Sequence, residues 1–214
     1  MIFRLLYPHK CPLCRKVLPQ KEQILCTKCA DNAPEFIRAK RNIPFIAHWT
    51  ALWYYIDTVR PSIRRFKFYG TSAYAKPYAK LLKEKLDSPH FRQFDILTWV
   101  PVSPQRKFHR GYDQAALIAR ALGDELDFPA QRTLRKIRHT PPQSGIREPA
   151  MRRANVLGAF AAYEPDKFTG KRILLIDDVV TTGATAAECA RVLLTAGAKE
   201  VIFAAVAAAQ HDKK

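Results

Sequence analysis

A parallel β-sheet flanked by helices, with a small zinc-ribbon-like module at the N-terminus, is the α/β architecture expected of this 214-residue chain. Three observations lead there. Short branched apolar runs alternate with stretches whose apolar residues recur at three- and four-residue steps, the pattern of strands and crossover helices. One such run, Arg172 to Ile176, leads straight into Asp177-Asp178 and a small, hydroxyl-rich loop. Near the N-terminus, Cys11-Pro-Leu-Cys14 and Cys26-Thr-Lys-Cys29 form two cysteine knuckles.

In chain order the knuckles come first. Each Cys-x-x-Cys turn can present two sulfurs to one metal, and a short hairpin between them closes a tetrahedron, so Cys11, Cys14, Cys26 and Cys29 are expected to hold structural Zn2+. A redox pair accounts for one such motif and not two, while disulfides need an oxidising compartment that nothing else in the chain implies. With four ligands taken there is no open position for catalysis, and the metal stands in for a core that so short a segment cannot build. The chain therefore divides into a module over 1–33, a linker over 34–48 and a main domain over 49–214. Cys189 falls on the apolar face of a later helix and reads as a small core side chain.

Trp49 to Ile56 is aromatic and branched enough for a strand. Ile63, Phe66 and Tyr69, then Tyr74, Tyr78, Leu81, Leu82 and Leu86, have helical spacing around a break at Gly70, with Pro77 in an early turn of the second helix. Phe94 to Val102 reads as a strand, and Gln114, Leu117, Ile118, Ala121 and Leu122 as a helix after a loop. The stretch from Ile137 to Asn155 is polar and proline-bearing, and reads as one long loop. Ile173 to Ile176 suits a buried parallel strand. A helix begins near Thr185 and stops at Gly197, and Val201 onward supplies a last buried strand. The apolar start of the chain is too short for a signal peptide and no run reaches a bilayer span, so a cytoplasmic protein without membrane insertion is expected.

The functional signal is strongest where strand, acidic pair, loop and helix follow one another. Backbone N–H groups at a helix N-terminus, threonine hydroxyls and a glycine that lets the chain pass close make a site for a phosphate dianion, here Val180, Thr181, Thr182, Gly183, Ala184 and Thr185. Asp177 and Asp178 repel that phosphate and instead suit the hydroxyls of a ribose whose 5-phosphate lies in the loop. This segment resembles the phosphoribosyl pyrophosphate (PRPP) signature of type I phosphoribosyltransferases. No Gly-x-x-x-x-Gly-Lys loop accompanies it, which argues against an NTPase.

Ligands bind at the carboxyl ends of strands in such sheets, and two further loops belong there. Arg106, Lys107 and Arg110 follow the second strand and can address a pyrophosphate. The long 137–155 loop carries Gln143, Arg147, Arg152 and Arg153 and reads as a lid over a charged intermediate.

Charge is the third constraint: 36 Lys and Arg against 19 Asp and Glu leave +17. A pyrophosphate ligand accounts for a few of these charges. Single-stranded nucleic acid suits the rest, with Arg64, Arg65 and Lys67 on phosphates and bases stacked on Phe66, Phe68 or Tyr69.

Together these pieces carry a family resemblance over essentially the whole chain. The knuckles, Phe66-Lys-Phe-Tyr-Gly70, Val100-Pro-Val with Arg110-Gly-Tyr-Asp-Gln114, Thr140-Pro-Pro-Gln143 with Arg153-Ala-Asn-Val, Gly158-Ala-Phe160 and the Asp177 to Thr185 segment are similar to those of ComF-family competence proteins. The one visible departure is Asp113, where the family commonly has Asn. The resemblance implies a type I phosphoribosyltransferase fold, PRPP with Mg2+ as ligand, handling of internalised single-stranded DNA in natural transformation, and a helicase-type ATPase as partner. Two other functions are compatible with the residues. One is a metabolic phosphoribosyltransferase acting on a nitrogenous base or other small acceptor, although no segment reads a particular base. The other is a PRPP-sensing regulator, ranked last because no helix-turn-helix or winged domain is evident.

Overall fold

The computed structural model describes residues 9–19, 24–37, 42–141 and 148–210. Its centre is a four-stranded parallel sheet of β1 (Trp49–Tyr54), β2 (Ile96–Trp99), β5 (Arg172–Val180) and β6 (Glu200–Ala208), in the order β1-β6-β5-β2. A short antiparallel pair, β3 (Leu134–Lys136) with β4 (Phe160–Ala162), lies apart from it.

The sheet is buried on both faces, as a parallel sheet covered by helices must be. Along β5, Leu174 and Ile176 face one apolar layer while Ile173 and Leu175 face the other, and β6 divides Ile202 and Ala204 from Val201 and Phe203 in the same way. The first layer holds helices α2 (Val59–Phe68), α3 (Ala75–Lys85) and α5 (Gln114–Leu126). The second is closed by α7 (Ala184–Thr195) together with Phe36, Ile43 and Ile46.

The break at Gly70 falls where the spacing placed it: α2 ends at Phe68, Gly70 takes φ 67°, and α3 starts after one turn of 3-10 helix. Two helices lie in stretches expected to be loop. Helix α4 (Pro104–Arg110) has Ser103 as N-cap, Pro104 in its first turn and Gly111 at φ 80° behind it. Those are the ordinary start and stop signals of a short helix. Helix α6 (Pro149–Val156) follows Glu148 and buries Val156 against the second layer. Strand β5 runs past its apolar residues through Asp177 and Asp178 to Val180, because β6 pairs with it as far as Ala208.

Residues 34–37 and 42–48 are packed against the sheet rather than loose. Phe36 N–H donates to Leu52 C=O at 3.0 Å and Tyr54 N–H to Pro34 C=O at 2.7 Å, which covers the open edge of β1. The cysteine segment, including α1 (Thr27–Asn32), is likewise docked: Cys11, Leu13, Leu18, Cys26 and Cys29 share one apolar cluster with Phe66, Tyr78 and Leu82. Among the described residues no helix is long and apolar enough to cross a membrane.

Candidate functional site

A cavity of about 440 Å³ opens at the carboxyl edge of the sheet. Strand β5 brings Asp177 and Asp178 to its floor, and the turn into α7 brings Thr181, Gly183, Ala184 and Thr185 to one wall. Gly183 adopts φ 81°, and a Cβ there would meet Ile43 Cγ1 at 3.0 Å, so the loop needs glycine for both its turn and its clearance. Thr182 Oγ1 accepts from Ala184 N–H at 3.4 Å. The turn thus presents backbone N–H groups and hydroxyls at the start of a twelve-residue helix, a ready site for phosphate.

Cations line the opposite wall. Arg106 and Arg110, one turn apart on α4, both face the cavity, whereas Lys107 lies exposed on that helix and does not line it. Arg106 Nη2 donates to Thr140 C=O at 2.6 Å, and Lys136 Nζ donates to Thr140 Oγ1 at 2.9 Å, so Thr140 ties α4 to β3. Burial, with Arg106 next in weight, lowers the Lys136 pKa to about 8. Burial and then Arg110 press the Arg106 pKa down as well. Such crowding of like charges marks the wall as one that an anion would relieve.

The acidic pair already has a partner. Lys67 Nζ lies 2.9 Å from Asp178 Oδ1, with the two side chains 21% and 11% exposed. Asp177 Oδ1 accepts the Asp178 N–H at 2.8 Å. The Asp177 carboxyl is crowded by protein although the residue keeps some surface open to the cavity. Burial first, and the Asp178 charge second, raise its pKa well above the usual carboxylate range.

The basic residues expected on nucleic acid thus point three ways. Arg64 is exposed, Arg65 reaches back to the first knuckle through Pro12 C=O (3.0 Å) and Leu13 C=O (2.6 Å), and Lys67 enters the cavity. Of the aromatics, Phe66 is fully buried and has no face for a base, while Phe68 and Tyr69 are 60% and 69% exposed. The Arg110 guanidinium lies 5.0 Å from the Phe68 ring centroid. Gln143 and Arg147 lie outside the described residues. Arg152 and Arg153 are on α6, Arg152 half-buried and Arg153 exposed.

Lys136 escaped the sequence reading, since it sits in no recognisable pattern and only the fold carries β3 to the cavity, while Thr140 opens the Thr140-Pro-Pro-Gln143 segment but was given no role of its own. Asp113 serves the site indirectly: it caps α5 by accepting from Ala116 N–H at 3.1 Å and also accepts from Val102 N–H at 3.1 Å. An Asn in that place would cap α5 as well, but its single carbonyl oxygen could not accept both bonds.

Beside α2, the four knuckle sulfurs all lie within 4.8 Å of one another, with Cys14 Sγ and Cys26 Sγ 3.5 Å apart. A tetrahedral zinc thiolate has sulfur–sulfur edges of about 3.8 Å, from Zn–S bonds of ~2.3 Å, so the donor set fits such a metal. Burial raises the Cys14 and Cys29 thiols, while the Cys26 thiol, with the Cys29 backbone N–H as the chief cause, is lowered to about 7, toward the thiolate a metal needs. Cys189 is fully buried and its pKa is raised, as suits a core residue.

Comparison with known proteins bears on the fold and the family. The phosphoribosyl transferase domain model matches residues 113–214. Competence protein F of Haemophilus influenzae is 30% identical over 154 residues, covering 69% of this chain and 67% of its own length. Competence protein ComFC of Streptococcus pneumoniae is 30% identical over 196 residues, covering 90% and 78%. The DNA utilization protein YhgH of Escherichia coli is 29% identical over 199 residues, covering 89% and 80%. The main domain has the phosphoribosyltransferase-type fold, a parallel sheet flanked by helices.

Proposed function

The chain belongs to the ComF family of competence proteins, and on that footing we propose that it binds PRPP with magnesium and handles single-stranded DNA in the cytoplasm during DNA uptake. The observation that carries this reading is the convergence, in one cavity, of a carboxylate pair, a phosphate-cradling helix start and cations on the facing wall. The names of the relatives add the setting, since three of them are competence or DNA utilization proteins.

In this reading Thr181 to Thr185, with Val180 leading in, hold the 5-phosphate through N–H groups and hydroxyls. Asp177 and Asp178 accept from the ribose hydroxyls. Arg106, Arg110 and Lys136 hold the pyrophosphate, with Lys107 free to add charge at the mouth. Magnesium, a hard cation that prefers carboxylate and phosphate oxygens, would sit among these oxygens and supply charge neutralisation for the pyrophosphate. Gln143, Arg147, Arg152 and Arg153 belong to the segment that closes the cavity. Zinc holds the knuckles together through Cys11, Cys14, Cys26 and Cys29.

The exposed Phe68 and Tyr69, beside Arg64 and Arg110, offer bases a stacking surface and backbone phosphates a charge partner. A helicase-type ATPase is the partner proposed for DNA transport, on the strength of the family resemblance.

Calorimetry of PRPP with magnesium, with and without a short single-stranded oligonucleotide, tests the proposal. Binding of both ligands, the oligonucleotide weakening steeply with salt, is the expected result. PRPP binding without any affinity for the oligonucleotide at low salt would transfer the protein to small-acceptor metabolism, and absence of PRPP binding would refute the cavity assignment.

A further inference from the structure

Helix α2 is tied to two sites, the first knuckle and the cavity. Ser62 Oγ donates to Pro12 C=O and lies 2.6 Å from Tyr78 Oη. Arg65 Nη2 donates to the Pro12 and Leu13 carbonyls, which sit between Cys11 and Cys14 in the first knuckle. One residue on, Phe66 is locked in the core and its carbonyl accepts from Tyr112 Oη. The next residue, Lys67, places its ammonium against Asp178 in the cavity. A continuous path therefore runs from the knuckle turn through Arg65 and the buried Phe66 to Lys67 and the acidic pair.

The electrostatics give Lys67 a distinct task. Arg106, Arg110 and Lys136 face the ligand from elsewhere in the cavity, but Lys67 is the cation in contact with the acidic pair. The Lys67 charge is also the largest influence opposing the rise in the Asp177 pKa. Two carboxylates offered bare to a ligand carrying several phosphate charges would repel it, and an ammonium in contact with one of them screens that repulsion.

We propose that Lys67 is a positioning residue of the ligand cavity, screening Asp177 and Asp178 from the ligand's phosphates, and that α2 is a brace through which the cysteine module sets its place. The ligand half of this statement rests on the PRPP reading above, whereas the brace does not.

The test compares Arg65→Met, Lys67→Met and the double variant, with PRPP and magnesium in calorimetry and zinc by stoichiometry. Lys67→Met is expected to weaken PRPP about tenfold, the scale of losing one close charge pair. Arg65→Met, which leaves Lys67 in place, is expected to weaken PRPP about fivefold with full zinc retained, and to add nothing in the Lys67→Met background. Wild-type affinity in Arg65→Met, or a loss that is additive with that of Lys67→Met, would overturn the brace. If Arg65→Met melts before assay, Arg65→Lys, which keeps one donor, is read in its place, with an intermediate loss expected.

A ligand-free measurement separates the two halves. Acylation by an N-hydroxysuccinimide ester, read by mass spectrometry, should modify Lys67 more slowly than the exposed Lys76 and Lys80. Arg65→Met and Asp178→Asn should each raise Lys67 labelling several-fold. Unchanged labelling in Arg65→Met sinks the brace whether or not PRPP binds. Labelling freed by Arg65→Met in a protein that binds no PRPP supports the brace and refutes the ligand.

Discussion

Asp177 shows how a ligand group can oppose the fold that carries it. Its carboxyl titrates higher in the folded protein than in the unfolded chain, so folding disfavours the ionised form. The fold carries no such cost below the unfolded pKa and loses stability as pH rises through the raised one. Asp177→Asn should therefore raise Tm at pH 7, while PRPP binding is lost. A thermal melt beside a titration checks both, and a lower Tm would contradict the burial argument. Lys136 gives the opposite sign for ligand. With its pKa lowered to about 8, it is charged at pH 7 and neutral by pH 9. An anion binds the charged form, so PRPP affinity should fall across that interval, and Lys136→Arg, charged throughout, should flatten the profile. Of these two groups, Asp177 was legible in the sequence because its neighbours in the chain make the motif. Lys136 was not, because its chemistry depends on burial beside Arg106 and Thr140, which local sequence does not record.

The strand–turn–helix unit of β5, Thr181–Gly183 and α7 is the element on which the phosphate reading depends. Its turn requires the left-handed conformation at Gly183, and Ile43 from the 34–48 stretch closes over it. Gly183→Ala should cost on the order of 1–2 kcal/mol from the backbone alone, with more from the Ile43 contact, and should abolish phosphate binding. Denaturant melts and ribose 5-phosphate titration measure the two effects, and a variant that still binds would show that the backbone there does not cradle the ligand. The unit was readable beforehand since strand, turn and helix cues are consecutive. Helix α4 carried equally plain cues in Ser103, Pro104 and Gly111, which the expectation of a functional loop obscured. Helix α6 likewise had Pro149 at its start and Gly158 just past its cap, whereas the β3–β4 pair had no such cues, three-residue strands being too short to show a period.

Across the molecule, the cysteine module is joined to the main domain by a common core and by the hydrogen bonds of Ser62 and Arg65. Metal removal should therefore reach the sheet domain. Cys26→Ser with Cys29→Ser, or treatment with a strong chelator, is expected to release zinc and lower Tm by about 10 °C, on the order of 3 kcal/mol. Metal analysis and calorimetric melting test this, and an unchanged melt after zinc loss would mean that the module is passive. What the residues settled unaided were the features written in short spans: the four knuckle cysteines, the acidic pair with its phosphate loop, the alternation of strands and helices, and the excess of positive charge. These depend on spacing and side-chain chemistry within a few positions, so no partner is needed to recognise them. The fold alone decided that Lys67 faces Asp178, that Phe66 is core while Phe68 is exposed, that Lys136 joins Arg106, and that the knuckles rest on α2. Each of these is a contact between segments far apart in the chain, set by which apolar faces must be buried together, and burial of that kind follows from the packed molecule and not from any stretch of its sequence.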